Sequence, residues 1–79
     1  SIATEKQVTD YVEKEISANI EFHSKNGIDC LEFHPYDSSR YPSVRVKEMA
    51  KDVIARILKE NGYEILANDI VGNILKVKW

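Results

Sequence analysis

His23, Cys30 and His34 are the soft metal ligands of this 79-residue chain, with Asp29 and Asp37 close by in sequence. A zinc reading would join Cys30 and His34 to one of those carboxylates. On an extended strand, however, residues four apart share a face while lying roughly 13 Å from each other, at about 3.3 Å per residue. Structural zinc sites place their ligand pairs on tight turns, so no metal is expected here. Cys30 with a histidine also suggests a thiol nucleophile, and Ser38, Ser39, His34 and Asp37 suggest a hydrolase. Both chemistries need an orienting third group and an oxyanion pocket. The sequence contains no nucleophile elbow, and its three glycines form no phosphate-cradling loop. The expectation is a non-enzymatic protein with no cofactor.

One chain of this length makes a single domain, residues 1–79, and buries only about 60% of its unfolded surface. Its core must be thin, so a site would lie on the surface or between subunits, and a homodimer is the expected way to add core. With 43% apolar and 30% charged residues the composition is that of a folded domain. The lone Cys30 precludes an internal disulfide and suits a reducing compartment. The apolar runs are too short to span a membrane or to act as a signal peptide, so a cytoplasmic protein is expected.

Charge is divided along the chain. Residues 1–37 carry eight acids and three bases, net -5, and residues 38–79 carry eight bases and five acids, net +3, giving the total of -2. Segregated charge creates a field that the small net charge conceals, and it suggests charged partners.

These side chains need elements to position them. Thr4 and Gln7 resemble a capping box, and Val8, Val12, Ile16, Ile20 and His23 then recur at helical spacing. The pattern predicts a helix over 4–25, with Asp10, Glu13, Lys14, Ser17, Glu21 and Lys25 on its outer side. Asn26-Gly27 closes it and Ile28 follows the cap. Residues 30–34 alternate as a strand that Pro35 ends, with Leu31 and Phe33 on one face. Residues 35–43 read as an ordered loop, and 44–46 as its extension or a brief strand. A second helix is predicted over 46–61 from Val46, Met49, Ala50, Val53, Ile54, Ile57 and Leu58. Asn61-Gly62 repeats the cap, with Tyr63 in the place of Ile28. Strands are predicted at 64–68 and 74–79, joined by a turn over 69–73. Leu75, Val77 and Trp79 would face the helices, while Lys76 and Lys78 would guard an exposed sheet or edge. The fold class is α/β in the α+β sense: helix, strand, helix, strand, strand, with two helices on one face of a small three-stranded sheet.

Two charged constellations are candidate sites. Arg40, Tyr41, Arg45, Lys47 and Lys51, with Tyr36, gather bases at a helix N-terminus, where the macrodipole favours acids. They could bind an anion, or they could pair internally. Asp10, Glu13, Glu21, Asp29, Glu32 and Asp37 form the candidate acidic face. Helix one alone is a poor nucleic-acid mimic, because its net charge of -2 is sparse beside the one charge per roughly 1.7 Å of duplex DNA. A dimer that aligned two first units would be a better mimic.

The order of long helix, Asn-Gly, strand, proline-bearing loop, helix ending Glu60-Asn61-Gly62-Tyr63-Glu64 and terminal strand Ile74-Leu-Lys-Val-Lys-Trp79 resembles small early, host-takeover proteins of tailed bacteriophages. The resemblance is one of layout across the chain. It implies a non-enzymatic inhibitor in the host cytoplasm that binds a host protein, sometimes by imitating nucleic acid. The leading expectation is therefore an interaction protein whose acidic face occupies a basic, nucleic-acid-binding host protein and competes with its nucleic acid. The alternatives are a direct nucleic-acid binder using the basic constellation, and a small structural or assembly protein.

Overall fold

The structure is a computed structural model and describes residues 5–79. The capping box expected at Thr4 lies outside the described residues. The elements are α1 (Glu5–Tyr11), a π-helical segment (Val12–Ile16), α2 (Ser17–Lys25), β1 (Cys30–Phe33), α3 (Val44–Glu60), β2 (Glu64–Asp69) and β3 (Ile74–Lys78). The first three run on without a break as one long helix. With α3 it forms the helical layer of a small α+β domain, over an antiparallel sheet of order β1-β3-β2.

The apolar spacing explains the π segment. Val8, Val12, Ile16 and Ile20 recur every four residues and are at most 2% exposed. A regular α-helix has 3.6 residues per turn, so a four-residue repeat drifts by about 40° each time. The π segment widens the turn to absorb that drift: the Ser17 N–H bonds to the Val12 carbonyl five residues back. All four side chains thereby stay on the core face.

The two Asn-Gly sites close their helices in the same way. The Ile28 N–H donates to the His23 carbonyl (3.0 Å) and the Gly27 N–H to Ser24 (3.1 Å). At the second site the Tyr63 N–H donates to Leu58 (3.0 Å) and the Gly62 N–H to Lys59 (3.0 Å). Both are Schellman motifs. Each asparagine also donates its side-chain amide to the carbonyl four residues back, Asn26 to Phe22 at 2.8 Å and Asn61 to Ile57 at 2.7 Å.

α3 begins two residues earlier than the apolar pattern predicts. Ser43 is extended and its hydroxyl accepts the Val46 N–H at 3.2 Å, an N-cap that draws residues 44–46 into the helix. They are therefore neither loop nor strand. Ala50, Val53, Ile54 and Leu58 of α3 meet the helix-one stripe and Leu75 and Val77 of the sheet in one core, with Leu31, Phe33 and Ile65 packed against it.

β3 is the central strand, so Lys76 and Lys78 guard the open face of the sheet and not an edge. Lys76 lies between Glu32 and Ala67, and Lys78 between Cys30 and Glu64. β2 carries a bulge at Leu66, because Ile65 pairs with Val77 while Ala67 pairs with Lys76. The extra residue switches the side-chain alternation beyond it and brings Asn68 alongside Leu75 on the helix-facing side.

Gly27 and Gly62 hold φ at 81° and 83°, and an added Cβ at either would meet nothing within 4 Å. The cost of a side chain there is purely one of backbone conformation. Gly62→Ala is expected to cost about 1–2 kcal/mol, lowering Tm by about 4–8 °C per kcal/mol, and Gly62→Asn should cost less. Thermal melts of both variants check this; equal losses would remove the left-handed φ as the cause.

Candidate functional site

The loop between β1 and α3 is built on Asp37 and clamped by Tyr36. Asp37 Oδ1 accepts the Ser39 N–H and hydroxyl, each at 2.7 Å. The Ser39 hydroxyl and N–H, helped by the nearby Lys47 and Arg40 charges, hold the Asp37 carboxyl below the usual carboxylate range. The Asp37 carbonyl accepts the Arg40 and Tyr41 N–H groups at 3.0 and 2.9 Å. The Tyr36 hydroxyl donates to Asn68 Oδ1, and the Tyr36 N–H donates to Asn73 Oδ1 at 2.6 Å. Asn73 has φ 52°, a left-handed conformation that asparagine tolerates, so one residue both turns the β2–β3 hairpin and holds the loop.

This loop disperses the basic constellation. Tyr41 is 2% exposed and belongs to the core, a correction to its expected place in an exposed anion site. Its hydroxyl has no hydrogen-bond partner among the described residues. The Arg40 guanidinium lies 4.0 Å from the centre of the Tyr11 ring and 3.7 Å from Glu15. Lys47 Nζ donates to Ser38 Oγ at 3.0 Å. Among the described residues, of this constellation only Arg45 and Lys51 remain outside such contacts, both on α3.

Nor do the acids form one face. Asp10, Glu13 and Glu21 lie along the outer side of the first helix. Glu32 projects from the opposite side of the molecule, on the open sheet face beside Lys76. Asp37 is a turn residue among bases, and Asp29 lies in the link from α2 to β1, its carbonyl accepting the Trp79 N–H at 3.0 Å. The division by sequence halves is partly spent inside the fold: Glu5 pairs with Arg56 at 2.6 Å and Glu15 with Arg40, each joining an acid of the first half to a base of the second.

Each imidazole is tied to the backbone. His23 Nδ1 is 2.8 Å from the Asn19 carbonyl and His34 Nδ1 is 2.8 Å from that of Asn73. A carbonyl only accepts, so Nδ1 carries the proton in both rings. His34 Nε2 faces Glu32 at 3.6 Å. The Ser38 and Ser39 hydroxyls are engaged by Lys47 and Asp37, and among the described residues neither is hydrogen-bonded to an imidazole. Among the described residues no three His, Cys, Asp or Glu side chains converge on a metal position.

The surface that does assemble lies at the far end of α2. Ile20, Glu21, Ser24, Lys25, Tyr63 and Trp79 line an open groove of about 390 Å³. Beside it on the chain are Phe22, 64% exposed with its ring edge-on to His23, and Ile28, 42% exposed. The two Schellman turns build this place: the one after α2 sends the chain past Asp29 to β1, and the one after α3 sets Tyr63 at the groove. Large aromatic rings beside exposed apolar side chains and a few charges are the composition of a protein-docking surface. The groove was not anticipated in the sequence, although its signals are there, in Tyr63 at the second cap and Trp79 at the end of an alternating strand.

No protein-family model, curated protein or solved structure matches this chain. No helix among the described residues is long and apolar enough to cross a membrane.

Burial pushes the hydroxyls of Tyr11, Tyr36 and Tyr41 above their ordinary pKa of 10.0, and Arg40 opposes this at Tyr11 and Tyr41. A raised folded pKa leaves its full contribution to stability in place below pH 10 and loses it as pH rises further, because only the unfolded chain then releases protons readily. Phenolate absorbance followed against pH, with circular dichroism in parallel, should show these three tyrosines ionising together with alkaline unfolding. Ionisation of all tyrosines near pH 10 in a folded chain would contradict the burial.

Proposed function

We propose that this is a non-enzymatic interaction protein, an inhibitor of the kind made by tailed phages early in infection, which acts in the host cytoplasm on a basic, nucleic-acid-binding protein and competes with its nucleic acid. The observation that carries the reading is the groove in which Tyr63 and Trp79 meet Ile20, Glu21, Ser24 and Lys25 of α2, an element of the acidic first half of the chain, with exposed Phe22 and Ile28 near these residues in sequence. Aromatic anchors in a groove supply the binding energy of most protein interfaces, and surrounding charge supplies steering and choice of partner. Residues 1–37 are net -5, which favours a basic partner. Of the six expected acids, Glu21 and Asp29 are the ones placed near the aromatic groove, Glu21 in its wall and Asp29 through its bond to the Trp79 backbone.

Direct nucleic-acid binding has less support. Stacking on bases needs accessible aromatic rings among the bases of the protein, whereas Tyr41 is buried and Arg40 is occupied by Tyr11 and Glu15.

The deciding experiment is capture from nuclease-treated host lysate with the wild-type chain, Trp79→Ala and Asp29→Lys. The expected outcome is a basic protein retained by the wild type, lost or weakened at least tenfold with Trp79→Ala, and displaced from its nucleic acid by the wild-type chain. Weaker retention by Asp29→Lys would tie the charge to the same site. Direct binding of purified protein to DNA or RNA, falling steeply with salt, would instead favour a nucleic-acid binder. A partner held equally by all three chains would remove the groove from the reading.

A further inference from the structure

The outer side of the first helix carries Asp10, Lys14, Glu21 and Lys25, with Ser17 and Ala18 between them. Read forwards the charges run minus, plus, minus, plus; read backwards they run plus, minus, plus, minus. An antiparallel copy therefore presents the opposite sign at each position. With the two-fold axis between Ser17 and Ala18, Asp10 faces Lys25 of the second copy, Lys14 faces Glu21, and symmetry repeats both pairs. We infer that this helix face is a self-association surface whose occupant is a second copy of this chain.

The π segment makes the face straight. Because the buried stripe repeats every four residues, the outer lines do too, one through Asp10, Lys14, Ala18 and Phe22 and the next through Glu13, Ser17, Glu21 and Lys25. Each residue of one line meets a residue of the other across the axis. Ser17 and Ala18 at the crossing are small enough to let two helices approach towards the short end of the usual distance, about 8 Å. Phe22, 64% exposed, lies opposite Glu13 of the second copy and can cover its ring on that side chain's methylenes.

The register is specified by repulsion as well as attraction. Sliding the copy by one helical turn sets Lys14 against Lys25 in one direction and Asp10 against Glu21 in the other. A parallel pair would place each charge against itself. Among these arrangements, the central register, its one-turn slides and the parallel pair, the central one alone is free of like-charge contacts. Within the chain, none of these four side chains is in a salt bridge among the described residues, in contrast to Glu5 and Glu15.

The face does not depend on the groove reading. Glu21 and Lys25 border both surfaces, but Trp79 and Tyr63 take no part in the helix pair, so Trp79→Ala should leave self-association unchanged.

Sedimentation equilibrium of the purified chain at 0.01 M and 1 M ionic strength, where the Debye length is about 30 Å and about 3 Å, tests the inference. The expected result is a mass approaching twice 9.1 kDa at low salt and 9.1 kDa at high salt. Lys14→Glu and Glu21→Lys should each weaken association by about tenfold, as two facing pairs change from attraction to repulsion. The double variant should restore it, and the two single variants, mixed, should pair with each other. Circular dichroism of each variant keeps loss of fold separate from loss of association. A chain that stays monomeric at low salt, or a dimer indifferent to both reversals, or a double variant that is not restored, would overturn the proposal.

Discussion

The four-residue recurrence of Val8, Val12, Ile16 and Ile20 is the constraint on which most of this molecule turns. Over three repeats a regular α-helix would carry the last of these side chains about 120° away from the first, and Ile20 would face solvent. The π-helical segment cancels the drift, keeps the stripe on α3 and the sheet, and leaves α2 aimed so that its last turn meets Tyr63 and Trp79. A thin core has few side chains to spare, and full burial of one isoleucine contributes about 1.5–3 kcal/mol. One irregular turn is a small cost beside losing Ile20. The same geometry fixes the outside, because an inner line that does not wind implies outer lines that do not wind either.

The sheet shows how a single inserted residue can serve a distant loop. Without the bulge at Leu66, Asn68 would alternate onto the open face. With it, Asn68 lies beside Leu75 and accepts the Tyr36 hydroxyl, while Asn73 at the hairpin turn accepts the Tyr36 N–H. These bonds let a ten-residue loop, 34–43, carry two buried tyrosines without leaving the Tyr36 polar groups unpaired. Tyr41 is the exception, a buried hydroxyl without a partner among the described residues.

Elements whose signal is local could be read from the sequence, and those whose cause is distant could not. The helix stripes, the alternation of Leu31 with Phe33 and of Leu75 with Val77, and both Asn-Gly caps are written in neighbouring residues, and each occurs where expected. The start of α3 was missed because apolar periodicity outweighed Ser43, a cap that lies just outside the pattern. Tyr36 and Tyr41 looked like part of a basic, exposed loop since nothing nearby in sequence reveals the Asn68 and Asn73 partners more than thirty residues away. The separation of Glu32 from the helix acids was hidden for the same reason. Summing charge by position along the chain does not say on which side of a two-layer domain a residue emerges, and Glu32 emerges opposite Glu13 and Glu21. The groove depends on three segments at once, α2, Tyr63 and Trp79, so only the fold could reveal it.

How the domain can meet other molecules follows from which of its surfaces are blunted. β1 is an edge of only four residues stopped by Pro35, and β2 is an edge bent by the Leu66 bulge. Short, bulged or proline-bounded edges resist strand addition. On the open sheet face Glu32 is in register with Lys76 and Glu64 with Lys78, which sets opposite charges on neighbouring strands. The side of α3 towards α1 carries the Glu5–Arg56 pair at the border of an open pocket with Met49, Asp52 and Val53. Strand pairing and a strongly charged sheet face are thus poor routes to association. Better suited are the outer line of the first helix, whose alternating charges are unpaired among the described residues, and the aromatic groove at the end of that helix. Both owe their shape to the turn that keeps Ile20 inside.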